Sequence, residues 1–378
     1  MRFQRHNWFA VLRWKLYKLS MLLTLGRIGG WGLYLKVVYR ICDSFEEVVR
    51  SHVKSIRLLS AAYIEHFAYG NDYGGRLRPE AVLPRRYAYW LKDVAVSPAS
   101  GAMWICGERV LIESLGTNME FWDLGGMVDV MRKPRRASVS GPVVPLPSLS
   151  YYHWLLIALP QLLIAQREAK GKVKVLLSRA PAGYVTSALG FLGFAEESLI
   201  RSDEPLRVDE TVLVARNSDA GVVFREDLAV LRATILPRLS PLPRKRTRRI
   251  YVSRRLERNR AIQNEGEVER LAERYGFDVC YFERMAFGEQ MQAVAEASVV
   301  MGVHGAGLSN IVCGQPGLRV VEILNPDWFN ACFSQIALQL GFDYKSLLLT
   351  RTPQGRLEAP VAEIESCLAS LSGVSWPM

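Results

Sequence analysis

The stretch that most restricts how this chain can fold runs from Ser298 to Asn325, SVVMGVHGAGLSNIVCGQPGLRVVEILN. An apolar run of Val299, Val300, Met301 and Val303 ends in a turn holding Gly302, Gly305 and Gly307 and passes into a short helical segment. After Pro316-Gly317 a second apolar run follows and ends at Glu322. This pattern predicts strand, loop, helix, strand. Glycines let a backbone come close to a ligand. The helix start offers unpaired N–H groups and the positive end of its dipole to an anion. His304 sits on the loop, at the carboxyl end of a strand, where α/β sheets bind their ligands. A phosphate-bearing ligand is therefore expected there. The usual kinase and dinucleotide fingerprints are missing, because no Gly-x-x-x-x-Gly-Lys-Ser/Thr occurs and Asn310 stands where Gly-x-Gly-x-x-Gly needs its third glycine. Standing alone, such a turn also serves as a mere tight connection.

The 378 residues suffice for two domains with their own cores. With 49% hydrophobic and 22% charged residues the chain is ordinary globular material. The net charge of +11 is uneven: residues 1–42 hold eight Lys or Arg and no acid, which leaves +3 for the remainder. Those basic residues alternate with Trp8, Phe9, Trp14, Tyr17, Trp31 and Tyr34, and the uncharged runs between them are too short to span a bilayer. They also lack the form of a secretory signal. The composition suits a helix lying on an anionic membrane surface, or one docked on its own protein. No nucleic-acid module is visible. The six cysteines are scattered, with no Cys-x-x-Cys, which argues against a zinc site and for reduced thiols in a cytoplasmic protein.

Along the chain, Phe45, Val49, Val53, Ile56, Leu59, Tyr63 and Phe67 recur at helical spacing, predicting a helix to Tyr69. Asp93–Val96 and Ala102–Ile112 flank a turn and read as a hairpin. Tyr151-Tyr152-His153-Trp154-Leu155-Leu156 opens a helix to about Ala169, kinked at Pro160. Lys172–Ser178, Tyr184–Leu192, Thr211–Ala215 and Glu226–Ile235 alternate strand and helix, predicting a parallel or mixed sheet covered by helices. The proline-rich Pro237–Pro243 and the basic run Arg244–Arg249 read as a linker. Beyond it come a strand delivering Arg254, a helix capped by Asn264 with Glu267 three residues on, a strand Phe277–Phe282 and a helix marked by Phe287, Met291 and Val294. The Gly-rich unit follows, and then helices over Ala331–Leu340 and Val361–Leu371. Three regions result: 1–70, a basic helical extension; 71–240, an α/β domain; and 241–378, a Rossmann-like domain.

Ser253-Arg254, Arg260 four residues before Asn264-Glu265, Gly302-x-His304-Gly305-Ala306-Gly307-Leu308-Ser309-Asn310, Pro316-Gly317 and Val320-Val321-Glu322 together resemble glycosyltransferase family 61, most strongly over Ile250–Tyr344. Tyr151–Leu156 with Leu159-Pro160 resembles that family's N-terminal motif, with Ile157 where the bacterial form carries an acid. The family includes bacterial capsular and exopolysaccharide enzymes and eukaryotic xylosyl-, arabinosyl- and N-acetylglucosaminyltransferases. The resemblance implies a GT-B-like α/β architecture of two Rossmann-like domains facing across a cleft. It also implies a nucleotide-diphosphate sugar bound by the C-terminal domain, and transfer that inverts the anomeric centre.

The residues agree with that chemistry. No Asp-x-Asp occurs, so a metal bridged by paired carboxylates is not expected, nor is any cofactor beyond the donor. Arg254 and Arg260 are suited to bind a leaving diphosphate bidentately. His304, Gly305, Ala306, Gly307 and Asn310 complete the expected donor site, and Glu322 is placed to accept from ribose hydroxyls or to be a solvent-facing strand end. His153, near a helix start after a proline-rich loop, is the candidate base for the acceptor hydroxyl. The expected acceptor is a surface polysaccharide or lipid-linked glycan, met at the inner face of the plasma membrane. The alternative from another class is a catalytically silent scaffold that binds nucleotide-sugars or polyanions.

Overall fold

A computed structural model of the chain describes residues 52–67, 80–105, 109–111, 132–215, 222–257, 262–326 and 330–371. The basic aromatic segment 1–42 and Arg260 lie outside the described residues. No described helix is long and apolar enough to cross a membrane.

The end of the predicted first helix is instead β structure: β1 (Val53–Ser60) and β2 (Tyr63–His66). β3 (Glu80–Leu83) pairs antiparallel with β2, and β1 runs antiparallel along β4 (Arg86–Val96), with Ile56 opposite Tyr89 and Leu58 opposite Tyr87. The helical spacing misled because β1 buries no single face: Ile56 and Leu58 are both 52% exposed. Its partner strand lies some thirty residues away, a pairing that local periodicity does not report. The predicted hairpin is present: Ser97 N–H donates to the Ala102 carbonyl where β4 turns into β5 (Met103–Ile105). β6 (Arg109–Val110), β7 (Arg135–Ala137) and β8 (Val143–Pro145) follow.

The predicted helix from Tyr151 comprises α1 (Tyr151–His153), a π turn (Trp154–Ala158) and α2 (Leu159–Glu168). Pro160 has no N–H to give the ladder, and the backbone accommodates this just before it: Leu159 N–H reaches back five residues to the Trp154 carbonyl. β9 (Lys174–Leu177), α3 (Gly183–Leu192) and β10 (Leu199–Arg201) then build a three-stranded parallel sheet ordered β10-β9-β8. β11 (Leu206–Val214) does not extend it. Its nine residues pair antiparallel with the long β4 and parallel with β7, in a six-stranded mixed sheet. α4 (Arg225–Ile235) closes this half. The α/β class holds: the N-terminal half sets a three-stranded parallel sheet, its strands joined by helices in the order β10-β9-β8, beside a mixed sheet.

The C-terminal half is regular. β12 (Arg248–Val252), α5 (Glu265–Arg274), β13 (Asp278–Cys280), α6 (Phe287–Glu296), β14 (Ala297–Val303), a 3₁₀ helix (Ala306–Cys313), β15 (Arg319–Leu324), α7 (Cys332–Gln339) and β16 (Asp343–Leu348) alternate, before a two-stranded ribbon of β17 (Thr350–Arg351) with β18 (Leu357–Glu358) and α8 (Val361–Ser370). The five strands β12 to β16 are all parallel, in the order β13-β12-β14-β15-β16. That is the doubly wound 2-1-3-4-5 order, whose crevice opens at the carboxyl ends between the first and third strands. Asn264 precedes α5 but does not cap it with its side chain, which exchanges hydrogen bonds with the Ala359 backbone at 2.8 and 2.9 Å. The basic run is largely tied down: Arg248 binds Asp278 and Glu296, each at 2.9 Å, and Arg246 donates to the Pro316 carbonyl.

One apolar cluster crosses the midline of the chain. Trp154, Leu156, Leu163, Leu189 and Leu228 from the first half share it with Phe287, Val300, Leu308 and Phe333 from the second. Trp154 meets Phe287 edge-on at 6.0 Å, and Phe191 meets it at 5.7 Å. At this level the described parts of the two halves are joined by side chains.

Candidate functional site

The switch point between β12 and β14 sets the site. Arg254 leaves the end of β12, and His304-Gly305 leaves the end of β14 beside it. A Cβ added to Gly305 would lie 1.7 Å from Arg254 Nη1, so the guanidinium lies directly on this backbone. The loop's other glycines serve packing: a Cβ added at Gly302 or Gly307 would meet Val252, and also Leu308 at 3.2 Å or Phe282 at 3.4 Å, respectively. The glycines expected to admit a ligand thus admit other parts of the protein, and at Gly305 the admitted part is the arginine predicted to hold phosphate. Ala306 and Gly307, opening the 3₁₀ helix, remain partly exposed.

Two buried carboxylates of α5 fix the turn that carries Arg254. Glu265 Oε1 accepts from Arg254 N–H at 2.9 Å, Tyr251 Oη at 2.7 Å and Ser253 Oγ at 3.2 Å. Glu269 accepts from Ser253 Oγ at 2.7 Å, Arg255 Nη1 and Tyr281 Oη, both at 2.9 Å. Burial pushes the Tyr251 phenol well up, with Glu265 adding to the effect, so it stays protonated as the donor this network needs. Glu265 enters the sequence reading only as part of a motif and Glu269 is not singled out there, because neither residue's spacing tells which groups it holds.

His304 turns inward. It is 5% exposed, and its Nδ1 faces Glu322 Oε1, while Glu322 Oε2 accepts from Tyr344 Oη at 2.6 Å. Glu322 is wholly buried, so it is neither a solvent-facing strand end nor open to a ribose: both of its oxygens are engaged by protein. The parallel register of β14, β15 and β16 produces this row, since Glu322 pairs with Gly302 and Tyr344 with Val320. Phe333 of α7 lies over the His304 ring at 5.0 Å and meets Tyr152 of α1 at 5.7 Å.

Asn310 is also buried, and it joins α1 to the loop unit. Its Oδ1 accepts from Tyr151 Oη at 2.7 Å, and its Nδ2 donates to Gln290 Oε1 at 2.9 Å. Burial pushes the Tyr151 phenol up, which keeps it a donor. Tyr151→Phe should therefore cost about 1–3 kcal/mol by stranding Asn310 Oδ1, read as a lower denaturant midpoint; an unchanged midpoint would show the bridge to be idle. His153, next along α1, is partly exposed, and its Nδ1 faces Ser150 Oγ at 2.8 Å. The structure thus brings Arg254, His304, Gly305, Ala306, Gly307, Asn310 and Glu322 to one edge of the parallel sheet, with the α1 turn of His153 packed beside it.

No group of three or more His, Cys, Asp or Glu among the described residues is placed to hold a metal. A hollow of about 640 Å³ between α3 and α6, lined by Ser187, Phe191, Arg238 and Gln292 among others, contains none of the predicted site residues.

Residues 151–321 match the family described as Glycosyltransferase 61. A Beta-1,2-xylosyltransferase of Arabidopsis thaliana is 36% identical over 81 residues, 21% of this chain and 14% of that protein. Beta-1,2-xylosyltransferase RCN11 of Oryza sativa subsp. japonica is 37% identical over 68 residues, 18% of this chain and 13% of that protein. Alpha-1,3-arabinosyltransferase XAT2 of the same rice is 32% identical over 117 residues, 28% of this chain and 19% of that protein. The matched parts thus span less than a fifth of those proteins' own length. The segment from His153 to Asn310, with the arginine turn and the Gly-rich loop inside it, therefore lies wholly within a region similar to glycosyltransferase family 61.

Proposed function

We propose that the protein is an inverting glycosyltransferase that moves a sugar, a pentose in the first instance, from a nucleotide-diphosphate donor to a hydroxyl of a glycan or lipid-linked glycan. The observation that carries this reading is the Arg254 guanidinium laid on Gly305 at the switch point, inside the region similar to sugar-transferring enzymes. The pentose comes from the xylosyl- and arabinosyltransferases among the relatives.

In this reading the two halves work as a GT-B pair, and the diphosphate lies across the β12–β14 crevice. Arg254 binds it, with the N–H groups at the start of the 3₁₀ helix and Arg260 as further donors. The acceptor oxygen attacks the anomeric carbon from the face opposite the diphosphate, and the C–O bond to the diphosphate breaks with its electron pair leaving on that group. The acceptor proton passes to one of the two imidazoles at this edge, His153 or His304. Negative charge grows on the leaving group in the transition state, where preorganised donors count most. The basic aromatic segment 1–42 holds the enzyme at the inner face of the plasma membrane, where a surface polysaccharide or its lipid-linked precursor is the acceptor.

The test is release of free nucleotide from a panel of UDP-, GDP- and CDP-sugars, pentoses included, with and without EDTA. The expected result is turnover of one donor that survives EDTA and falls about 10²-fold or more in Arg254→Ala. Turnover that depends wholly on added Mg²⁺ or Mn²⁺ would overturn the cation-free part. Binding of a nucleotide without turnover of any sugar in the panel would favour a binding scaffold instead.

A further inference from the structure

We propose that the hollow between α3 and α6 is a binding subsite for an uncharged oligosaccharide and, resting on the transfer reading above, that the chain it holds is the part of the acceptor lying beyond the hydroxyl that reacts. The hollow measures about 640 Å³. That falls inside the range of about 300–1,000 Å³ usual for small-molecule sites, which favour places where two parts of a molecule meet. Here α3 and the turn after α4 come from the first half of the chain and α6 from the second.

The floor is aromatic. Phe191 of α3 is partly exposed and lines the hollow, and it lies so close on the first turn of α6 that a Cβ at Gly288 would come within 2.6 Å of its ring. Gly288 stands in regular helix, where alanine is the better former. The missing side chain seats the ring. A ring held in this way, with polar groups around it, suits the C–H face of a sugar, because the face of an aromatic ring is electron-rich and the C–H hydrogens are faintly positive.

The walls are polar and balanced in charge. Arg238 is exposed, pairs with no acid among the described residues and donates from Nη1 to the Thr234 carbonyl at 2.6 Å. Glu289, also exposed, spends Oε2 on Ala286 N–H at 2.8 Å and keeps its other oxygen for a donor. Arg248 is already neutralised by Asp278 and Glu296. One guanidinium set against one carboxylate leaves no net charge to draw a phosphate or a cation. The guanidinium donates, the carboxylate accepts, and a sugar hydroxyl does both.

The hollow is built before any ligand arrives. Gln292 Oε1 accepts from Ser240 N–H at 2.9 Å, which ties the turn after α4 to α6, and Ser187 Oγ accepts from Phe287 N–H at 2.9 Å, which ties α3 to it. Fixed walls lower the ordering cost of binding. α6 also connects the hollow to the candidate site. Gln290 donates to the carbonyl of Met285, a lining residue, and accepts from Asn310 Nδ2, so the rim of the hollow and the Gly-rich unit share one side chain.

The experiment uses the full chain with neutral linear pentose and hexose oligosaccharides, from single sugars to pentasaccharides, and with a sulfated oligosaccharide and a nucleoside diphosphate for comparison. Binding is read by calorimetry. Wild type should bind neutral trisaccharides and longer chains and not the sulfated one. Ser240→Trp, which fills the hollow from an exposed position, and Arg238→Ala should each weaken that binding about tenfold or more, as loss of polar contacts does, and leave nucleoside diphosphate binding unchanged. With the donor active in the panel, both should raise KM for the long acceptors by a similar factor and leave kcat and donor hydrolysis as in wild type. Gly288→Ala should displace Phe191 and act in the same direction. Should Ser240→Trp fail to fold, Arg238→Ala, at an exposed position, carries the test. Absence of neutral-chain binding, preference for the sulfated chain, or unchanged binding in the folded variants overturns the subsite, and the transfer reading is then judged separately on nucleotide release. Weakened binding with an unmoved acceptor KM, or oligosaccharide binding in a chain that turns over no donor, overturns the acceptor assignment while the sugar-binding hollow stands.

Discussion

Gly305→Ala should leave the protein folded and nearly inactive. The backbone at Gly305 is extended, with φ of −180°, so an alanine fits it without strain. The obstacle is the Arg254 guanidinium, whose Nη1 lies 1.7 Å from where the methyl group must go. That nitrogen ends a flexible side chain, so it moves and the fold does not. Arg254 then no longer lies on the loop, and the donor proposed for the leaving diphosphate is misplaced. Loss of one preorganised donor costs roughly 3–4 kcal/mol in a transition state, or about 10² to 10³ in kcat. Unfolding by denaturant should show a midpoint close to wild type, and nucleotide release should show the loss. An alanine variant with full turnover would remove Arg254 from the mechanism.

The second large effect concerns stability. Arg86, 1% exposed, donates from Nη1 to Asp227 at 2.6 Å and from Nε to the Ala215 carbonyl at 3.1 Å, with Phe224 beneath its guanidinium at 4.5 Å. Asp227→Asn leaves a buried guanidinium that cannot shed its proton, and should cost about 3–5 kcal/mol. Arg86→Met strands an acid, and an acid has an escape. Burial pushes the Asp227 carboxyl up, to about 6, even with Arg86 opposing. A carboxyl raised in the folded state favours folding below its unfolded value, and that contribution is lost as pH rises through the folded one. Arg86→Met should therefore be least destabilised below about pH 4 and lose ground as pH rises from there through the folded value, which moves above about 6 once the arginine's attraction is gone. Asp227→Asn should show no such relief. Denaturant midpoints at acidic and slightly alkaline pH separate the two, and equal losses at both pH values in Arg86→Met would contradict the account.

What the sequence discloses here divides by distance along the chain. Features written in neighbouring residues were legible: the Tyr151 helix, the hairpin at Ser97–Gly101, the alternation after Arg248 and the Gly-rich turn after β14 all follow from spacing over a few residues. Features written between distant residues were not. β1 carries apolar residues at helical intervals, and only its pairing with β4 makes it a strand. β11 looks like the next strand of a parallel sheet until β4 is known to be long enough to claim it.

The site divides in the same way. Arg254, His304 and the loop glycines stand out because their types and order are unusual, whereas Glu265, Glu269 and Tyr344 are ordinary residues whose meaning lies in what they hold. Glu322 was visible as a candidate, yet its partners could not be read. A strand-end carboxylate looks the same in sequence whether it faces a sugar or a histidine.

The shared apolar core has a consequence for traffic through the enzyme. Swinging the two halves apart as rigid jaws would bring Trp154, Phe191 and Phe287 into water, a penalty of several kcal/mol at ordinary transfer free energies. In the transfer reading proposed above, a donor would then reach the sheet rim with this shared core left intact, without rigid opening of the two halves.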